Sequence, residues 1–130
     1  MDEHRIQLIT MVITRIPITL NQLCLFKALY EAGDYWVSKS ELAYRMQECE
    51  PRLDKILGGL GKRIKETQGT DRPYDGYGLL MAWDTYHDEL HYRGLPEFRT
   101  VIERFPILLN VLNLSVDEIR QLHRDGLAIT

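Results

Sequence analysis

The chain is poor in cysteine, in long apolar runs and in net positive charge, and each shortage excludes something. Two cysteines in 130 residues, Cys24 in an apolar helical pattern and Cys49 in an acidic turn, have neither metal-ligand spacing nor a secretory setting. They are expected as free thiols rather than as a disulfide framework. No apolar stretch approaches the roughly 18 residues that span a bilayer. The first ten residues, with Asp2, Glu3, His4 and Arg5, do not resemble a signal peptide. A cytoplasmic protein with no membrane partner is the expectation. A formal net charge of −3 counts against a generic nucleic-acid binder, because counterion release rewards Lys and Arg. One surface can still be basic, since charges more than about 8 Å apart are screened from one another at physiological salt.

Catalytic signatures are equally sparse. The run Gly58-Gly59-Leu60-Gly61-Lys62 has the flavour of a phosphate loop, but that motif needs Gly at 56 and Ser or Thr at 63, where this chain has Ile56 and Arg63. His87 and His91 lie on a stretch with strand character, where a spacing of four rarely converges on one ion. No Ser-His-Asp or Cys-His arrangement has local support. The expectation is a protein that is not an enzyme, with no cofactor and no metal.

What the chain does have is one strongly patterned helix. Leu53, Ile56, Leu57, Leu60 and Ile64 recur at helical spacing and make a single apolar stripe. Pro51 suits a first turn, and Glu48 and Glu50 sit at the positive end of the dipole. Lys55, Gly58, Gly59 and Lys62 fall opposite the stripe, flanked by Arg52, Arg63 and Lys65. From Arg52 to Glu66, five basic residues against Asp54 and Glu66 leave this stretch at plus three and the rest of the chain at minus six. Three glycines inside a helix cost about 2 to 3 kcal/mol relative to alanine. Two explanations stand side by side: bare backbone that approaches a nucleic-acid groove, or close packing against another helix or protomer or a kink. Gly61, nearer the stripe, is expected to belong to packing.

At 130 residues the chain reads as a single domain. It divides into an N-terminal arm (1–18), a core (19–94) and a C-terminal helical extension (95–130). The arm is rich in β-branched residues and reads either as an edge strand or as a helix, packed within the chain or against a second protomer. Thr19-Leu20-Asn21-Gln22 is a capping box opening a helix that is apolar nearly all round and ends at Gly33. Tyr35 to Val37 suggest a very short strand. Ser38-Lys39-Ser40-Glu41 is a second box, opening a short helix whose N-terminus either binds a phosphate through Ser38 and Lys39 or is simply capped. The residues from Thr67 to Gly78 read as a loop in which Arg72, Tyr74 and Tyr77 contact a nucleic-acid backbone or pack. A ribbon follows, Leu79 to Trp83 and Glu89 to Tyr92, turning through the acidic segment Asp84 to Asp88. Pro96 starts a helix stopped at Pro106, Ile107 to Leu114 is a short apolar segment, and Ser115-Val116-Asp117-Glu118 is a third box that opens a last helix. These C-terminal helices either dimerise or cover the core.

A capped short helix, a helix with a basic outer side and a ribbon stand in the order of a helix-turn-helix with a wing. Val37-Ser38 with Leu42, Gly61-Lys62-Arg63-Ile64-Lys65 and Gly76-Tyr77-Gly78 resemble the winged helix-turn-helix superfamily, including bacterial response-regulator effector domains. The likeness covers the middle half of the chain. It implies a mainly α protein with a small β-ribbon (α+β), in which Lys55, Lys62, Arg63 and Lys65 take DNA-contacting positions. The whole expected DNA surface is Ser38, Lys39, Arg52, Lys55, Gly58, Gly59, Lys62, Arg63, Lys65 and Arg72. The expected partner is duplex DNA, bound by a homodimer formed through the arm or the C-terminal helices, with transcription regulation as the role. The alternative is a protein-interaction module without DNA binding that docks through the acidic wing and the C-terminal helices.

Overall fold

The apolar stripe read in the sequence is the buried side of a 19-residue helix, α4 (Glu50–Gln68). Leu53, Ile56, Leu57, Leu60 and Ile64 are all buried, and side chains of this size contribute about 1.5 to 3 kcal/mol each on leaving water. The computed structural model describes residues 1–15, 18–68 and 76–124. Within them α4 is preceded by α1 (Glu3–Arg15), α2 (Leu20–Ala32), β1 (Val37–Ser38) and α3 (Lys39–Arg45). It is followed by a 3-10 turn (Gly76–Leu79), β2 (Met81–Tyr86), β3 (Glu89–Gly94), α5 (Pro96–Glu103), α6 (Pro106–Leu112) and α7 (Val116–Arg124). The chain is therefore mainly helical with a small antiparallel sheet, an α+β architecture. Arg72 and Tyr74 lie outside the described residues.

The sheet has the order β1-β3-β2. Val37 faces Tyr92 on β3, and Tyr92 faces Trp83 on β2. The ribbon is longer and its turn tighter than the sequence suggests, because the reversal is made by His87 and Asp88 alone. Their φ values of 52° and 60° are the left-handed pair that a two-residue hairpin turn demands. Asp84 and Tyr86, expected in the turn, are strand residues paired with His91 and Glu89.

The N-terminal segment is a helix. Ile6, Ile9, Val12 and Ile13 are buried because α1 lies against α5 and α4, and tertiary burial outweighs the modest helix penalty of β-branched residues. Thr10 and Thr14 return their hydroxyls to the carbonyls of Ile6 and Thr10 at 2.8 Å, which removes their competition with the helix. The apolar side of the arm is thus used inside the chain. Ile107 to Leu112, read as a bare apolar segment, belong to α6, and α7 packs on α2. Arg120 of α7 donates to the Met46 carbonyl at 3.2 Å and to Glu48 at 2.9 Å, so the last helix braces the turn between α3 and α4. Glu48 serves that brace, and Cys49, whose carbonyl accepts from the Leu53 N–H at 3.0 Å, closes the start of α4. Cys24 is buried and Cys49 exposed, both free, and burial pushes the Cys24 thiol up from its ordinary pKa.

Arg63 corrects the sequence reading most sharply. On a helical wheel it lies only about 20° from Ile56, and α1 covers that side. It is 5% exposed, and its Nε donates to the Val12 carbonyl at 2.9 Å, one of the last-turn acceptors that α1 cannot satisfy itself. Burial, then the nearby Arg15 charge, lower its pKa. Its guanidinium closes the end of a helix and does not face outward. Arg63→Ala should destabilise the fold by about 2 to 3 kcal/mol, a fall of roughly 10 °C in a circular-dichroism melt. An unchanged midpoint would show that the buried bond contributes nothing.

Candidate nucleic-acid interface

Opposite its buried stripe α4 presents Arg52, Lys55, Gly58, Gly59, Lys62 and Lys65, all exposed. Among the described residues none of the four cations has an ion-pair or side-chain hydrogen-bond partner. Lys55 and Lys62 are two turns apart on one side, about 10 Å along the axis, with the two glycines between them. A Cβ built on Gly58, Gly59 or Gly61 would meet no described atom within 4 Å. Packing against the described residues of the chain therefore explains none of the three, Gly61 included. The result is a notch in a cationic ridge, open to solvent on the side away from the core.

The N-terminus of α3 is not part of that surface. Ser38 caps its own helix, its Oγ accepting from the Glu41 N–H at 3.1 Å. The next N–H, from Ser40, donates to the Glu89 carboxylate at 3.0 Å, and the Ser40 hydroxyl donates to the same oxygen at 2.6 Å. That hydroxyl, with the backbone donor behind it, holds the Glu89 pKa below its usual value. The hairpin itself thus supplies the anion that an open helix start would attract. Lys39 is spent on Asp54 at 2.7 Å, and this bond raises the lysine pKa. The pair neutralises Asp54. Behind it, burial pushes the Tyr92 phenol up to about 12, with Tyr77 packed edge-on against it at 6.3 Å between ring centroids. Tyr77 is thus a packing residue.

Beside the ridge lies a hollow of about 290 Å³, which the sequence reading missed. Its walls are Thr19, Asn21 and Gln22 from the start of α2 and Arg52, Lys55, Ile56 and Gly59 from α4. Thr19 caps α2, its Oγ accepting from the Gln22 N–H at 3.2 Å. The capping-box pattern was the available signal, but it could not say that α4 would bring two cations alongside.

On the hairpin, the Tyr86 ring stands between His87 and His91, with centroids 4.2 and 5.8 Å away. No group of three metal-ligating side chains converges among the described residues. Among the same residues no helix is long and apolar enough to cross a membrane. Set beside family models, curated proteins and solved structures, the chain matches none.

Proposed function

We propose that the chain is a winged helix-turn-helix protein that binds duplex DNA through the outward side of α4 and acts as a transcription regulator. The observation that carries this reading is the notch of Gly58 and Gly59 between Lys55 and Lys62, exposed and unoccupied by any described part of the chain. Phosphate contacts from Arg52, Lys55, Lys62 and Lys65 fix the register of such a helix, while its bare backbone enters the major groove. The element order supports the same reading: a helix, a short strand, two helices joined by a turn, then a two-stranded hairpin. The homodimer enters through the C-terminal helices, where Ile107 of α6 is 72% exposed, because the apolar side of α1 is already covered. Selection of bound fragments from random duplex DNA is expected to enrich a sequence whose binding weakens steeply with salt. No retention of duplex at low salt would overturn the proposal.

A second reading has its own observation. Trp36 and Tyr86 are exposed and share a hollow with the hairpin acid Asp84, and exposed aromatics are characteristic of protein interfaces. In that case the enriched pool stays random and the docking surface is the hairpin.

A further inference from the structure

Three capping boxes open helices in this chain, and their second halves end differently. At Ser115 the box is closed: Glu118 Oε1 accepts from the Ser115 N–H at 3.1 Å, and Ser115 Oγ from the Glu118 N–H at 3.1 Å. At Ser38 the Glu41 carboxylate goes instead to Arg45 at 3.0 Å. At Thr19 the reciprocal side chain, Gln22, has no hydrogen-bond partner among the described residues. It is 7% exposed, its Oε1 is sealed without a hydrogen bond, and its Nε2, not among the sealed atoms, is the end that keeps contact with solvent. An unmet buried amide oxygen costs about 1 to 3 kcal/mol, so a fold that needed only a cap would not hold glutamine in this pose.

The surroundings suit an anion. Gln22 forms part of the wall of the hollow between α2 and α4, together with Arg52 and Lys55, and no carboxylate stands among its described walls. α2 is a 13-residue helix whose first two N–H groups, from Leu20 and Asn21, have no acceptor among the described residues. The start of α2, with the positive end of its dipole and the Asn21 backbone, borders this hollow together with an amide side chain and two exposed cations, which is the chemistry that binds phosphate oxygens. Gly59, with no side chain, leaves one wall of that space low.

We propose that this hollow is a phosphate site, and that it takes a backbone phosphodiester of the DNA whose groove receives α4. The assignment of the phosphate to DNA rests on the duplex-binding reading, but the site itself does not, so the two are separable. The test follows backbone and side-chain amide signals of the intact protein by NMR during titration with inorganic phosphate, against chloride at equal ionic strength, and then with a short duplex. Phosphate is expected to shift Leu20, Asn21, Gln22 and the Gln22 side-chain NH₂ saturably, and the duplex is expected to shift the same signals. Gln22→Met, of similar length but without the amide, should weaken phosphate binding by about tenfold while melting no lower than the wild type. A merely structural Gln22 would give the reverse pattern. Phosphate shifts without any duplex binding would uphold the site and overturn DNA as its source. Duplex shifts on α4 that leave Leu20 to Gln22 unmoved, with phosphate equally silent, would overturn the site and leave the DNA reading in place. Silence in both titrations, or equal phosphate affinity of Gln22→Met, also overturns it.

Discussion

Replacing Lys55 and Lys62 together by glutamine should flatten the salt dependence of duplex binding. Each neutralised phosphate contributes about 0.9 to the slope of log K against log salt, so the pair should lower its magnitude by about 1.8 and weaken binding some 30-fold at physiological salt relative to 1 M. The fold should hardly notice, because both side chains are exposed with no described partner and surface substitutions of this kind lie within about 0.5 kcal/mol. Fluorescence anisotropy over a salt series reads slope and affinity together. Arg104→Gln, at the exposed C-cap of α5, removes one cation away from the ridge and should leave the slope as it is. If the lysine variant keeps the wild-type slope, the two residues do not touch phosphates and α4 is not the interface.

How far the sequence could reach depended on whether the deciding contact was local. The α4 stripe was legible because five apolar residues at helical spacing report their own burial. The same pattern could not place Arg63, which sits at the edge of the stripe, because its fate is set by α1 arriving from 51 residues away. Ser38 and Lys39 misled for the same reason: their surroundings hold Glu89 and Asp54, partners that a capping box does not announce. The turns hid differently. Gln47 between α3 and α4 has φ 58°, and His87 and Asp88 are also left-handed, three positions where glycine or asparagine would have been the usual signal. In α1 the β-branched residues spoke for a strand, and only packing against α4 and α5 decides for a helix. The exposed cations of α4 were readable, since solvated residues need no distant partner to explain them. The hollow beside them was half readable, from Thr19 and Gln22 but not from their meeting with Arg52.

Gly58→Ala with Gly59→Ala should move stability and binding in opposite directions. Alanine in a helix interior is favoured over glycine by about 0.8 to 1 kcal/mol per site, and the added methyls meet no described atom within 4 Å. The double variant should gain about 2 kcal/mol, near 8 °C in a thermal melt. A position that could be stabilised so cheaply and is not invites an explanation outside the folded chain. If α4 approaches a groove with its backbone, two methyls at the closest point push it back, and duplex affinity should fall at least about tenfold, the equivalent of 1.4 kcal/mol. Gly61→Ala separates the two effects: it lies about 110° around the helix from the line joining Lys55 and Lys62, so it should gain stability without losing affinity. A double variant that melts lower would mean that a neighbour fills the notch. One that melts higher and binds as tightly would leave the glycines without a role in recognition and take away the observation on which the duplex reading stands.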